Sequence, residues 1–139
     1  KRKSRRRPRK KKLFRSEKMP VVHLHKDVTP MEYCPELFVT LQNWPRVSAI
    51  AEYACGVLQA MDDRRQLFKD FATRHCKGLR YGHGWRDLDP HVEDVGVEGQ
   101  PIGIIETHHD REDLIVYTEH PKAGALVETA KSHGYRKVS

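Results

Sequence analysis

The longest periodic pattern of apolar residues in the chain lies between Arg46 and about Lys77. Apolar side chains recur there at intervals of three and four residues, as in an amphipathic helix. They are Val47, Ile50, Ala54, Val57, Leu58, Met61, Phe68, Phe71 and Ala72. The segment 63–66 resembles a capping box, so the pattern predicts either one long helix or two in tandem. Gly78 is a suitable stop after it.

Alternating patterns predict strands before and after this helical region. Residues 19–28 alternate around Val22 and Leu24, which predicts a strand. Residues 101–105 and 114–117 predict two strands of an antiparallel hairpin, joined by the polar residues between them. The apolar run within residues 35–44 fits either a strand or a packed turn.

Two further segments complete the predicted order of elements. Residues 78–101 contain five Gly and two Pro, a density that predicts a long loop, and long loops in compact domains are often binding elements. Pro121 suits the first turn of a final helix, with Gly134 at its end. Its apolar face consists of Ala123, Leu126, Val127 and Ala130.

The predicted elements form one small domain. Strands, a long helix, a hairpin and a final helix are typical of a small α+β or α/β domain over residues 19–139. Residues 1–18 cannot belong to its core. They contain twelve Lys or Arg and the single acidic residue Glu17, a net charge of +11. We therefore expect an extended basic arm attached to the domain.

Charge is distributed unevenly between the arm and the domain. Residues 19–139 hold fourteen basic and eighteen acidic side chains, a net charge of −4. Within them, residues 87–119 hold ten acids against Arg111 alone. Such an acidic region would repel phosphates, so we expect it to meet solvent or a neighbouring protein. The basic arm, in contrast, needs a dense array of negative charge to become compact, and a nucleic-acid backbone is the commonest one.

The candidate RNA-binding residues lie in two segments. Twelve are the basic residues of the arm, and four interleave cations with aromatic rings in the Gly-rich segment, where they could stack bases and hold phosphates. They are Lys1, Arg2, Lys3, Arg5, Arg6, Arg7, Arg9, Lys10, Lys11, Lys12, Arg15, Lys18, Arg80, Tyr81, Trp85 and Arg86. The other interpretation of the arm is a nuclear import signal, since RRRPRKKK fits one equally well. The other interpretation of Tyr81 and Trp85 is that their rings pack at the edge of the core.

Other chemistries have weaker support in the sequence. Nine histidines raise the question of a metal, with His23 and His25 on one face of a strand and His108 and His109 at a hairpin tip. Structural zinc usually uses paired short spacings of soft ligands, and the three cysteines are isolated. Phosphate-binding Gly-rich loops and the nucleophile motif G-x-S-x-G are absent. We predict no metal, no cofactor, no small-molecule substrate and no enzymatic activity.

The sequence also bears on location. It has no stretch approaching the ~20 apolar residues that cross a bilayer, and no apolar segment of a secretory signal follows the basic start. The sparse, odd number of cysteines fits a reducing compartment. The chain begins with Lys rather than Met, which fits either the removal of a targeting peptide or a fragment of a longer chain.

With KRKSRRRPRKKK at one end of a neutral-to-acidic domain, the chain resembles ribosomal proteins that carry a long basic extension. The acidic domain with one basic arm is more similar to organellar ribosomal proteins than to bacterial ones. The resemblance implies a structural role in a mitochondrial ribosome, with rRNA and neighbouring ribosomal proteins as partners. The alternative is a nuclear nucleic-acid-binding or adaptor protein.

Overall fold

The computed structural model describes residues 20–82 and 91–138. A first strand is followed by three helices, then by four strands, and finally by a helix and a short strand. In order they are β1 (Val21–Asp27), α1 (Pro30–Tyr33), α2 (Pro35–Thr40), α3 (Pro45–His75), β2 (Leu79–Gly82), β3 (His91–Val97), β4 (Gln100–Thr107), β5 (Arg111–Tyr117), α4 (Ala123–Ser132) and β6 (Arg136–Lys137).

The six strands form one sheet in the order β2-β3-β4-β5-β1-β6, and every pairing in it is antiparallel. The predicted first strand is β1 and the predicted hairpin is β4 with β5, so both predictions are confirmed. The α+β class is confirmed as well. The first strand lies between β5 and β6, which places residues from the two ends of the domain side by side.

Helices α3 and α4 pack on one face of the sheet, and we call the other face, which no described helix of the chain covers, the open face. Cross-strand partners Leu24, Leu114 and Ile105 are fully buried on the helix side. Successive residues of a strand point to opposite faces, so His23 and His25 lie on the open face. Helix α3 contributes Leu67, Phe68 and Phe71 to the core, and α4 contributes Ala123, Leu126 and Ala130.

Residues Pro45–His75 form one continuous helix, which settles the choice between one helix and two. Pro45 occupies the first turn, where its missing N–H costs nothing. At 1.5 Å per residue the helix is about 46 Å long, roughly twice the length of a seven-residue strand. Helix α3 crosses the β4–β5 turn at Gly56, where a Cβ atom on residue 56 would lie 1.9 Å from the carbonyl oxygen of His109. Only glycine allows that close approach, and residues before Gly56 extend past the end of the strands.

The apolar pattern of α3 is only partly a core pattern. Its C-terminal half packs on the sheet, but Val47, Ile50 and Leu58 are 46%, 71% and 61% exposed. The apolar positions of α3 therefore face the core only in its C-terminal half. The period of 3.6 identified the helix correctly, but it could not indicate that the sheet ends near Gly56.

Two segments differ from their predicted structures. The apolar run expected to be a strand or a packed turn contains helix α2, which begins at Pro35 and buries Phe38. The segment 78–101, expected to be a long loop, contains strands β2 and β3. The core-facing positions of β3 are Glu93, Val95 and Val97. A buried glutamate and a register shift between Val95 and Gly96 hid the alternation in the sequence.

The final helix agrees with its prediction. Helix α4 begins at Ala123 and buries Ala123, Leu126 and Ala130. Gly134 follows it with a φ of +92°, a conformation that favours glycine at the end of a helix. None of the helices formed by the described residues combines the length and the apolar character needed to cross a membrane.

Candidate functional site

Most of the predicted RNA-binding residues lie outside the described part of the chain. This holds for the twelve basic residues of the arm and for Trp85 and Arg86. Arg80 and Tyr81 are described, and both lie on β2, at one edge of the sheet. Their role in RNA binding stays a prediction.

Arg80 and Tyr81 do not share a surface. As neighbours on a strand they point to opposite faces of the sheet. The ring of Tyr81 packs against Phe68, with centroids 4.7 Å apart, and the guanidinium of Arg64 lies 5.7 Å from its centroid. Tyr81 therefore closes the edge of the core and leaves 38% of its surface exposed, while Arg80 is exposed on the open face.

Most of the described Lys and Arg side chains already pair with a carboxylate. Arg64 pairs with Glu93 at 3.3 Å inside the fold, and Lys122 pairs with Glu98 at 2.9 Å on the surface. Within the described residues, five exposed cations have no carboxylate partner. They are Arg46, Lys69, Lys77, Arg80 and Lys137.

The acidic region 87–119 is less exposed than its composition indicates. Glu93, Glu112 and Asp113 are buried and engage other side chains of the fold. Glu98 is paired with Lys122. These residues are interior or compensated groups, so they do not form one continuous acidic surface.

The most concentrated group of ionisable side chains lies on the open face, where β1, β5 and the end of β4 meet. We call it the histidine cluster. It consists of His23, His25, Glu106, His108, Arg111 and Asp113. The register of the sheet assembles it, because Asp113 is the cross-strand partner of both His25 on β1 and Glu106 on β4.

Asp113 is the centre of the histidine cluster. Its Oδ1 lies 2.9 Å from Nδ1 of His25 and 3.2 Å from Nε2 of His23. Its Oδ2 accepts a hydrogen bond of 3.2 Å from Nε of Arg111. Burial raises the pKa of the Asp113 carboxyl, but hydrogen bonds from His25 and His23 outweigh it and leave the pKa below its usual value. Asp113 is therefore an anion on which several cationic or donor groups converge.

His108 joins the cluster from the β4–β5 turn. Its Nε2 lies 3.6 Å from Oε1 of Glu106 and 3.6 Å from Oδ2 of Asp113. The turn that carries it is held by a backbone hydrogen bond of 2.9 Å from the N–H of His108 to the carbonyl of Arg111. The neighbouring His109 points elsewhere and stacks on Tyr53 of α3, with ring centroids 4.7 Å apart.

A second group of polar residues lies between α3 and the sheet. We call it the buried polar network, and its members are Arg64, Glu93, Thr107, Glu112 and Tyr135, all buried. Arg64 donates to the hydroxyl of Thr107 at 3.2 Å, and that hydroxyl donates to Oε2 of Glu112 at 3.2 Å. The hydroxyl of Tyr135 donates to Oε1 of Glu112.

Glu112 is the unusual member of the buried polar network. Burial raises the pKa of its carboxyl to about 8, despite the hydrogen bond from Tyr135 and the charge of Arg64. The positive charge of Arg64 is compensated by Glu93, so it stabilises a second anion only weakly. The raised pKa favours the protonated form of Glu112 at neutral pH, and in that form one of its two contacts with hydroxyl groups reverses direction. The network joins α3 to the sheet, because Arg64 of the helix contacts Thr107 and Glu93 on the strands.

A third group consists of two cysteine thiols that contact each other. Sγ of Cys34 lies 2.8 Å from Sγ of Cys55, which links the short helices to α3. Burial and the contact with Cys34 raise the pKa of the Cys55 thiol to about 11. Cys55 is accordingly a weak nucleophile, since the thiolate is the reactive form.

The sequence predicted part of the histidine cluster. The shared face of His23 and His25 and the position of His108 at a hairpin tip are confirmed. Their convergence on Asp113 was missed, because it depends on β1 pairing with β5. Residues 111–117 contain two adjacent acids followed by four apolar residues, so no alternation in the sequence indicated that Asp113 lies on the face opposite Leu114.

Comparisons with protein-family models, with curated proteins and with solved structures found no match.

Proposed function

We propose that this protein is a structural, RNA-binding subunit of a ribosome, most consistent with a mitochondrial one, and that it performs no catalysis. The observation that carries the proposal is the charge of the first eighteen residues, +11 against −4 for the rest of the chain. An RNA backbone supplies the matching density of negative charge.

The folded domain supports this division of labour. Its cations are largely used in pairs with its own carboxylates, such as Arg64 with Glu93 and Lys122 with Glu98. Because the positive charge in such a pair is compensated by the carboxylate, it attracts a phosphate only weakly. The arm therefore contributes most of the affinity, and exposed cations of the domain, Arg80 among them, contribute a few additional contacts.

The domain also offers surface for neighbouring proteins. In this proposal the exposed acids of residues 87–119, such as Asp110 and Glu119, face a neighbouring ribosomal protein rather than rRNA. Because Glu93, Glu112 and Asp113 are buried, this contact is smaller and less acidic than the composition of the segment indicates.

A salt titration of RNA binding tests the proposal. Fluorescence anisotropy with a structured rRNA fragment measures the affinity of the full chain between low and physiological salt. If eight arm cations engage phosphates, log K falls against log salt with a slope of about −6 to −7. Replacing the twelve Lys and Arg of residues 1–18 by Gln should abolish both the affinity and the slope.

Single substitutions in the domain refine the test. Arg80→Gln should reduce the slope by about 1, as expected for one lost phosphate contact. Lys131→Gln is the matched control, since Lys131 is exposed but pairs with Glu128 at 3.6 Å on α4. Unchanged binding after neutralisation of the arm would refute the proposal.

Sedimentation decides between the ribosome and the nuclear alternative. We expect the tagged full chain to sediment with mitochondrial ribosomes in a sucrose gradient and to leave them in high salt. If the chain instead accumulates in nuclei and stays at the top of the gradient, the nuclear hypothesis replaces the ribosomal one.

A further inference from the structure

The histidine cluster has the donor atoms and the spacing of a metal site. Nε2 of His108 lies 3.6 Å from a carboxylate oxygen of Glu106 and 3.6 Å from one of Asp113. These separations are longer than good hydrogen bonds. They are close to the ~3.3–3.4 Å that separates two ligands of one tetrahedral zinc ion with bonds of about 2.0–2.1 Å.

The three ligand residues are close to one another, and Nε2 of His23 on β1 is hydrogen-bonded to Oδ1 of Asp113 at 3.2 Å beside them. Ligand atoms of Glu106, His108 and Asp113 all lie within 4.8 Å of one another. The side chain of Glu106 is 34% exposed, so it can move the short distance that would complete the set.

The scaffold around these donors is rigid. Asp113 and Glu106 are cross-strand partners in the central part of the sheet, and the β4–β5 turn that carries His108 is closed by a backbone hydrogen bond. Metal sites built on strands hold their ligands more precisely than sites built on loops.

The outer contacts also resemble those of metal sites. Ligating carboxylates are usually held by further hydrogen bonds, which orient them. Asp113 receives one from Nε of Arg111 at 3.2 Å and one from Nδ1 of His25 at 2.9 Å. Nε2 of His25 lies 2.8 Å from Asp27, so His25 bridges two carboxylates and serves as an orienting residue. The positive charge of Arg111 lowers the affinity for a metal cation. The two negative charges of the Glu106 and Asp113 carboxylates still balance a dication.

We infer that the histidine cluster binds one divalent transition-metal ion of the zinc class through Glu106, His108 and Asp113. Imidazole and carboxylate donors suit zinc, cobalt and nickel better than magnesium or calcium, which prefer oxygen alone. The ion would tie the two strands of the β4–β5 hairpin to the turn that joins them, on the open face. This inference does not rest on RNA binding, and failure of one leaves the other standing.

Cobalt is the probe for the test, because its d–d absorption reports the number and type of ligands. The full chain, freed of metal and nucleic acid, is titrated with Co²⁺, and Zn²⁺ is then added in competition. We expect saturation at one ion per chain, visible d–d bands without a thiolate charge-transfer band, and loss of the bands when Zn²⁺ displaces the cobalt. Bound Zn²⁺ should also raise the melting temperature, because it binds only the folded state.

Matched histidine variants locate the site. His108→Ala should weaken Co²⁺ binding at least about 100-fold, since the loss of an outer-shell partner alone costs 10–100-fold. His109→Ala, one residue away but stacked on Tyr53, should bind Co²⁺ like the original chain. Glu106→Gln provides a second test that keeps the size of the side chain, and it should weaken binding while the circular dichroism spectrum is unchanged.

Three results would overturn the inference. One is the absence of saturable Co²⁺ binding to the full chain. Another is equal binding by the His108 and His109 variants. The third is a thiolate charge-transfer band, which would place the ion on the cysteines.

Discussion

Replacing the buried acid by its neutral isostere, Glu112→Gln, should make the protein more stable at alkaline pH. The pKa of Glu112 is raised to about 8, against an ordinary value of 4.5. The folded state keeps its proton up to about pH 8, while the unfolded chain releases it near pH 4.5. Between these values the folded state binds more protons, so the free energy of unfolding falls as pH rises and levels off above pH 8.

The magnitude follows from the size of the shift. Each unit of pKa corresponds to 1.36 kcal/mol, so the shift of Glu112 costs about 5 kcal/mol once pH exceeds 8. That is a large part of the 5–15 kcal/mol by which small domains are stable. Glutamine carries no charge and offers one donor and one acceptor group, as the protonated acid does. It keeps both contacts when its amide nitrogen donates to one of the two hydroxyls, of Thr107 or of Tyr135, and its oxygen accepts from the other.

Urea unfolding monitored by circular dichroism measures the effect between pH 4.5 and 9. The variant and the original chain should have similar stability at pH 4.5, and the variant should be more stable by several kcal/mol at pH 8.5. Other ionisable groups are common to both proteins, so their contributions cancel in the difference. The lowered pKa of Asp113 acts at acid pH, below this window.

The control and the refuting result are both specific. Glu98→Gln changes an exposed acid that pairs with Lys122, and it should alter stability by a small amount at every pH. If the difference between Glu112→Gln and the original chain does not grow with pH, or if the variant is less stable at pH 8.5, then Glu112 is ionised in the folded state and the reasoning is wrong.

Two further predictions concern packing, and both use denaturant unfolding at pH 7. Gly56→Ala should lower the free energy of unfolding by about 2–3 kcal/mol, because its Cβ would collide with the carbonyl of His109. Gly124→Ala, in a helix with open space around it, should instead stabilise by about 0.5 kcal/mol, and equal effects would contradict the close approach. Leu67→Ala should cost about 3 kcal/mol, since Leu67 is fully buried. Ile50→Ala should change stability by less than about 0.5 kcal/mol, and a large loss there would show that the exposed half of α3 is packed.

Local patterns predicted the elements whose signal was continuous. The helical period found α3 and α4, and the alternation found β1 and the β4–β5 hairpin. Strand β3 was missed because one of its core-facing residues is Glu93, which a pattern of apolar residues cannot include. The short helix α2 was ambiguous because six residues carry too little periodicity to separate helix from strand.

The charged residues were harder to interpret than the apolar ones. A sum of charges over residues 87–119 treats every acid as exposed, whereas Glu112 and Asp113 are buried at the start of β5. Whether an acid lies inside depends on the partners that compensate it. Those partners, Tyr135 and His25, are distant in the sequence.

The amino-acid sequence by itself determined the separation of a +11 arm from a −4 domain, and the helices and strands with regular apolar spacing. Charge and periodicity are properties of neighbouring residues, so they can be read without a fold. The tertiary structure alone decided that His25 meets Asp113, 88 residues away, and that Glu112 is buried against Tyr135. These contacts arise because β1 pairs with β5 in one particular register, and register is set by the packing of the whole sheet against its helices.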